Sequence, residues 1–136
     1  MTRQEIERIQ DQIESVLKRE VDHTYHLDVM HKLAQISSLM GSGAQCIAEA
    51  KRIELTKRGE WLRKFRDEIH EMKPSVAKEF VNTACIDEQI LSVRCDRNYS
   101  ALTHSGEMLR SVLSMIKSDM QFNNVWKKQS SYPYQN

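Results

Sequence analysis

Residues 40–44 read Met40-Gly41-Ser42-Gly43-Ala44. Two glycines within three positions are the strongest break signal between residues 24 and 72, a span that holds no proline. A turn here would divide the chain into short helices; a helix running through would make it a long hairpin. Each glycine in a helix interior costs roughly 1 kcal/mol relative to alanine, so a continuous helix must recover about 2 kcal/mol elsewhere. The spacing shows where. Ala34, Ser37, Gly41, Ala44 and Ala48 recur at steps of three and four. Such a seam of small side chains lets another helix approach closely. We read one helix over residues 24–72, with a turn at the glycine pair as the conservative alternative. Gly41 and Ala44 become candidate interface residues.

The apolar pattern on either side of the glycines supports this. Val29, Leu33, Ile36, Met40 and Ile47 mark one face, and Leu55, Leu62, Phe65 and Ile69 continue it. By rise alone such a helix measures on the order of 70 Å. Before it, Thr2-x-x-Glu5 is a capping box, followed by Ile6, Ile9, Ile13, Val16 and Leu17 at helical steps. A short amphipathic helix is expected over residues 2–20, with a polar turn or kink at residues 20–26. After it, Lys73-Pro74-Ser75 is the one firm break, since proline disfavours helix at the residue before it and suits the first turn after it. Phe80, Ala84, Leu91, Cys95, Leu102, Leu109, Leu113, Ile116 and Met120 then sustain a seam, which predicts a third helix over residues 75–121.

The expected fold is all-α, a coiled-coil-like antiparallel hairpin of two long helices with a short N-terminal helix along it. Residues 1–122 form one domain and residues 123–136 a tail in which Trp126 can dock on a neighbour. Only four glycines and two prolines occur, so few turns are needed. A long hairpin has much surface for its volume, so a homo-oligomer is expected.

Composition excludes several classes. Three cysteines without CxxC spacing do not make a disulfide framework and point to a reducing cytoplasm. The charged start MTRQEIERIQ does not read as a signal peptide. No apolar run approaches the roughly 20 residues a membrane helix needs. Asp22-His23-x-x-His26 is a solvated helix boundary rather than a metal site, because no second ligand pair stands elsewhere. Cys85 and Cys95 have no identifiable base or orienting partner and read as seam thiols. No phosphate loop, nucleophile elbow or HExxH motif occurs, so neither an enzyme nor a cofactor is expected.

One segment hints at a partner. KRIELTKRGEWLRKFR, residues 51–66, carries seven cations against Glu54 and Glu60 in a chain whose net charge is only +1. On a helical wheel Arg52, Arg63 and Arg66 share one flank of an aromatic arc, and Lys57 and Lys64 share the other. With Arg58 they form a candidate nucleic-acid surface, because cations meet phosphates while aromatics stack on bases. The competing reading is a core aromatic pair, Trp61 and Phe65, flanked by solvated charges. The same pair is then an oligomer interface. Asp87, Arg94 and Arg97 could pair across the hairpin, specify an oligomer or extend the basic surface.

The helix order through AEAKRIELTKRGEWLRKF (residues 48–65), the break at KPS and the final helix RNYSALTHSGEMLRSVLSMIKSDM (residues 97–120) resembles the recombination mediator proteins of large tailed phages. The resemblance spans about residues 45–122 and is one of helix type, order and length. It implies an oligomeric helical protein that binds single-stranded DNA and works with a recombinase and a single-strand-binding protein, with the basic segment on the DNA. The glycine pair and the aromatic tail have no counterpart there. The alternative expectation is a helical protein-interaction module, such as a phage structural adaptor or an inhibitor of a host complex, without nucleic-acid binding.

Overall fold

The structure, a computed structural model, describes the backbone of residues 1–131 and side chains as far as Asn124. Five helices follow in chain order: α1 (Arg3–Lys18), α2 (His26–Lys64), α3 (Arg66–Glu71), α4 (Pro74–Ala84) and α5 (Ile86–Ser131). Among the described residues there is no strand, so the all-α reading holds.

α1 begins with the capping box. The Thr2 hydroxyl accepts from the Glu5 amide at 3.2 Å, and the Glu5 carboxylate accepts from the Thr2 amide at 2.8 Å. α2 passes through Gly41 and Gly43 without a break, and neither glycine has a positive φ. Pro74 stands in the first turn of α4, where its missing amide costs nothing.

The register of the hairpin follows from residues that meet. Gly43 faces Tyr99 and Leu102, Gly106 faces Ile36, and Glu54 accepts from Ser92. Numbers rise on α2 as they fall on α5, so the two are antiparallel. α1 lies in the groove between them. Met1 touches Cys46 while the Lys32 ammonium donates to the carbonyls of Leu17 and Arg19 at 3.3 and 2.7 Å. That runs α1 against α2 and along α5, and Lys32 satisfies carbonyls that the end of α1 leaves without partners. Burial, with a smaller push from the Arg19 charge, lowers the Lys32 pKa.

Ile6, Ile13, Val29, Ile36, Cys46, Leu102 and Leu109 form the centre of the core. All three cysteines are free and buried. Arg94 takes none of its three expected roles. It bridges Asp11 and Glu14 at 2.7 and 2.6 Å and thereby pins α1 to α5.

Four expectations are corrected. The helix over residues 24–72 is interrupted at Phe65 (φ −113°, ψ 31°), and the one over residues 75–121 is interrupted at Cys85 (φ −106°, ψ 17°). Neither position is glycine or proline. Both adopt the bridge region, and the first coincides with the packing of Phe65 between Trp61 and Phe80. Leu55 and Leu62 do not continue the core face; they are 55% and 44% exposed. Between residues 36 and 62 the helix face turned to α5 moves to Gly43, Cys46, Ala50 and Glu54, which leaves those leucines outside. Finally, the tail begins later than residue 123, because α5 continues to Ser131. No glycine or proline stands between Gly106 and Pro133 to end it. Residues 132–136 and the Trp126 side chain lie outside the described residues.

Candidate interaction surface

The basic segment divides into cations that have a carboxylate partner and cations that have none among the described residues. Glu54 on α2 and Glu88 on α5 are both buried, at 6% and 7% exposure. A buried carboxylate needs a counter-charge, and the segment supplies it. Lys51 and Arg58 bridge Glu54 at 3.2 and 3.6 Å, and Lys57 bridges Glu88 at 3.7 Å. Arg58 also donates to the Asn82 side chain at 2.9 Å, which ties α2 to α4. Arg52 bridges Glu49 at 2.9 Å and donates to the Met1 carbonyl at 3.3 Å. Arg58 and Lys57 thus tie the segment to the rest of the fold, while the Lys51 and Arg52 side chains, 59% and 56% exposed, pair with a neighbour on their own helix and still face solvent.

Arg63, Lys64 and Arg66 remain. All three are exposed, and among the described residues none forms an ion pair. Lys64 sits 5.4 Å from the Phe65 ring centre. The rings beside it are already engaged with each other: Trp61 stacks on Phe65 at 4.6 Å, and Phe80 meets both edge-on. Glu60, Asp67, Glu68 and Glu71 are exposed along the same stretch and offset the field. Trp61 and Phe65 are half-buried within the protomer, where they join α2 to α4.

Gly41 and Ala44 are both exposed. The small seam to which they belong faces outward over its whole length, and nothing lies within 4 Å of where a Gly41 Cβ would stand. The same helix face continues to Met30 and Leu27 at steps of four and three on one side and to Leu55 and Leu62 at steps of seven on the other. These four side chains are 44–55% exposed. α5 has an outward face of its own. Ile86, Ile90 and Val93, at 52%, 61% and 47% exposure, line a groove of about 600 Å³ bordered by Glu14 and Arg97. Sequence reasoning marked Gly41 and Ala44 on the α2 face but missed the exposed Leu27, Met30, Leu55 and Leu62 and the whole α5 face, because it assigned every large apolar periodicity to one core; the signal was two interleaved stripes on each long helix.

Burial raises the Cys46 and Cys85 thiols and pushes Cys95 up to about 11, which keeps all three protonated and unreactive near neutral pH. Among the described residues no three metal-ligating side chains converge, and no helix is long and apolar enough to cross a membrane. Compared with protein-family models, with curated proteins and with solved structures, the chain matches none.

Proposed function

We propose that this chain is a non-enzymatic helical interaction module that works by docking its outward helix faces onto protein chains. One observation carries the reading: Ile86, Ile90 and Val93 stand side by side on α5, about half exposed or more, over a groove with charged borders. An apolar patch rimmed by charge is the ordinary form of a protein-docking surface. The basic segment supports the same reading in part, because Lys57 and Arg58 are engaged with Glu88, Glu54 and Asn82. The test is capture from nuclease-treated host extract by the wild-type chain and by Ile90→Glu, with circular dichroism to confirm that the helices persist. A partner held by the wild type and lost by the variant is expected. Equal capture by both, or none by either, contradicts the reading.

A second reading rests on Arg63, Lys64 and Arg66, which stay exposed beside an aromatic cluster. In that reading these three contact single-stranded DNA, and the chain assists a recombinase or a single-strand-binding protein, as the phage resemblance implies. Both readings place the chain in a reducing cytoplasm, which suits three free cysteines.

A further inference from the structure

We propose that the cavity where the end of α1 meets α2 and α5 binds a small carboxylate with an apolar tail, its charged end held by Lys32. Such a ligand is distinct from the protein chains that the α5 face would dock.

Lys32 is 8% exposed, and among the described residues it has no carboxylate partner. The buried carboxylates differ, because Glu54 and Glu88 each face cations. A buried charge without an opposite one is costly. The carbonyls of Leu17 and Arg19 accept two of the three ammonium protons, but they are dipoles and carry no net charge. The third proton is left for whatever fills the space beside it. Burial and the Arg19 charge both lower the Lys32 pKa, and no group raises it, as expected of an ammonium that lacks its counter-charge.

That space is a cavity of about 340 Å³, which Lys32 itself lines. The volume falls at the lower end of the ~300–1,000 Å³ range of ligand pockets. Leu17, Val21, Met108 and Leu109 give it apolar walls, and Ser105 adds a hydroxyl. The rim does not supply the missing anion. Arg19 is held by Asp28 at 3.2 Å. Lys18 and Glu20 also line the cavity, are both exposed and offset each other. One buried positive charge beside apolar walls remains. A carboxylate accepts the third proton and neutralises Lys32, while an alkyl tail covers the walls. A phosphate dianion would bring more negative charge than the one ammonium offsets and would leave the walls bare.

The test titrates the full chain with hexanoate, acetate, hexanol and inorganic phosphate, reading the heat of binding and the thermal midpoint. Hexanoate is expected to bind and to raise the midpoint. Acetate, which lacks the tail, and hexanol, which lacks the charge, are expected to bind about tenfold more weakly or worse. Phosphate is expected to leave the midpoint where it was. Lys32→Met, with circular dichroism to confirm the helices, is expected to weaken hexanoate binding about tenfold or more and to spare that of hexanol. Lys32 also holds the end of α1, so a second variant leaves it in place. Ser105→Glu sets a carboxylate in the cavity wall and is expected to abolish hexanoate binding while raising the midpoint of the unliganded protein. Four results overturn the proposal: no binding of hexanoate, hexanol or phosphate bound as tightly as hexanoate, hexanoate binding indifferent to Lys32→Met, or hexanoate binding undiminished by Ser105→Glu.

Discussion

Gly43 packs directly against Tyr99: a Cβ on the glycine would stand 3.3 Å from the Tyr99 Cδ2, with Ile13 and Leu102 at 3.6 and 3.7 Å. Side chains of α1 and α5 meet the α2 backbone here. A large side chain at residue 43 must push the three helices apart. Gly43→Leu is expected to lower stability by about 1–3 kcal/mol through overpacking. Gly41→Ala, where the added Cβ meets open space, is expected to raise it by up to ~1 kcal/mol through helix propensity. Urea unfolding of the two variants checks the contrast, which no reading based on glycine content alone would give.

The four paired cations and the three free ones should behave differently. Arg58→Ala leaves the buried Glu54 with Lys51 as its remaining ion-pair partner and removes the bond to Asn82. It is expected to destabilise the fold by about 1–3 kcal/mol. Arg66→Ala removes an exposed charge and is expected to leave the urea midpoint where it was. Equal effects would mean that Glu54 does not depend on the segment.

Alkaline pH probes the buried thiols. Burial, and to a smaller degree the neighbouring Cys46 and Asp96, push the Cys95 thiol up to about 11, whereas its ordinary value is 9.0. Below that ordinary value both folded and unfolded thiols keep their protons, and the contribution to stability is complete. As pH rises toward the folded value, the unfolded thiol ionises first and the contribution is lost. Lys32 acts in the opposite direction, because its folded pKa is lowered and the unfolded ammonium holds its proton longer. Stability of Cys95→Ala is therefore expected to fall less steeply than wild type between about pH 8 and about pH 11. Urea midpoints across that range measure it.

Oligonucleotide binding separates the two functional readings. If Arg63, Lys64 and Arg66 contact phosphates, an electrophoretic shift of single-stranded oligonucleotide should appear at low ionic strength and weaken steeply with salt. The double variant Arg63→Glu, Lys64→Glu is expected to abolish it. No shift by the wild type removes the DNA reading and leaves the protein-docking one.

Much of the fold was legible because its signals are local. Thr2 and Glu5 cap α1, Pro74 opens α4, and Leu91, Cys95, Leu102 and Leu109 are buried as their spacing requires. The breaks at Phe65 and Cys85 were not legible, since no glycine or proline marks them and they arise where helices meet. The choice between the glycines was hidden for a similar reason: only the placement of Tyr99 and Ile13 shows that Gly43 faces inward and Gly41 outward. The basic segment was visible as a count of charges. Its division was not, because it depends on Asn82 and Glu88, which lie 24 and 31 residues from Arg58 and Lys57 and oppose them only in the folded hairpin.

Capture from nuclease-treated host extract tests the central claim most directly. The wild-type chain is expected to hold a protein partner that Ile90→Glu loses, with the helical circular dichroism unchanged. Equal capture by both proteins, or none by either, would contradict the assignment of the Ile86–Ile90–Val93 face to docking.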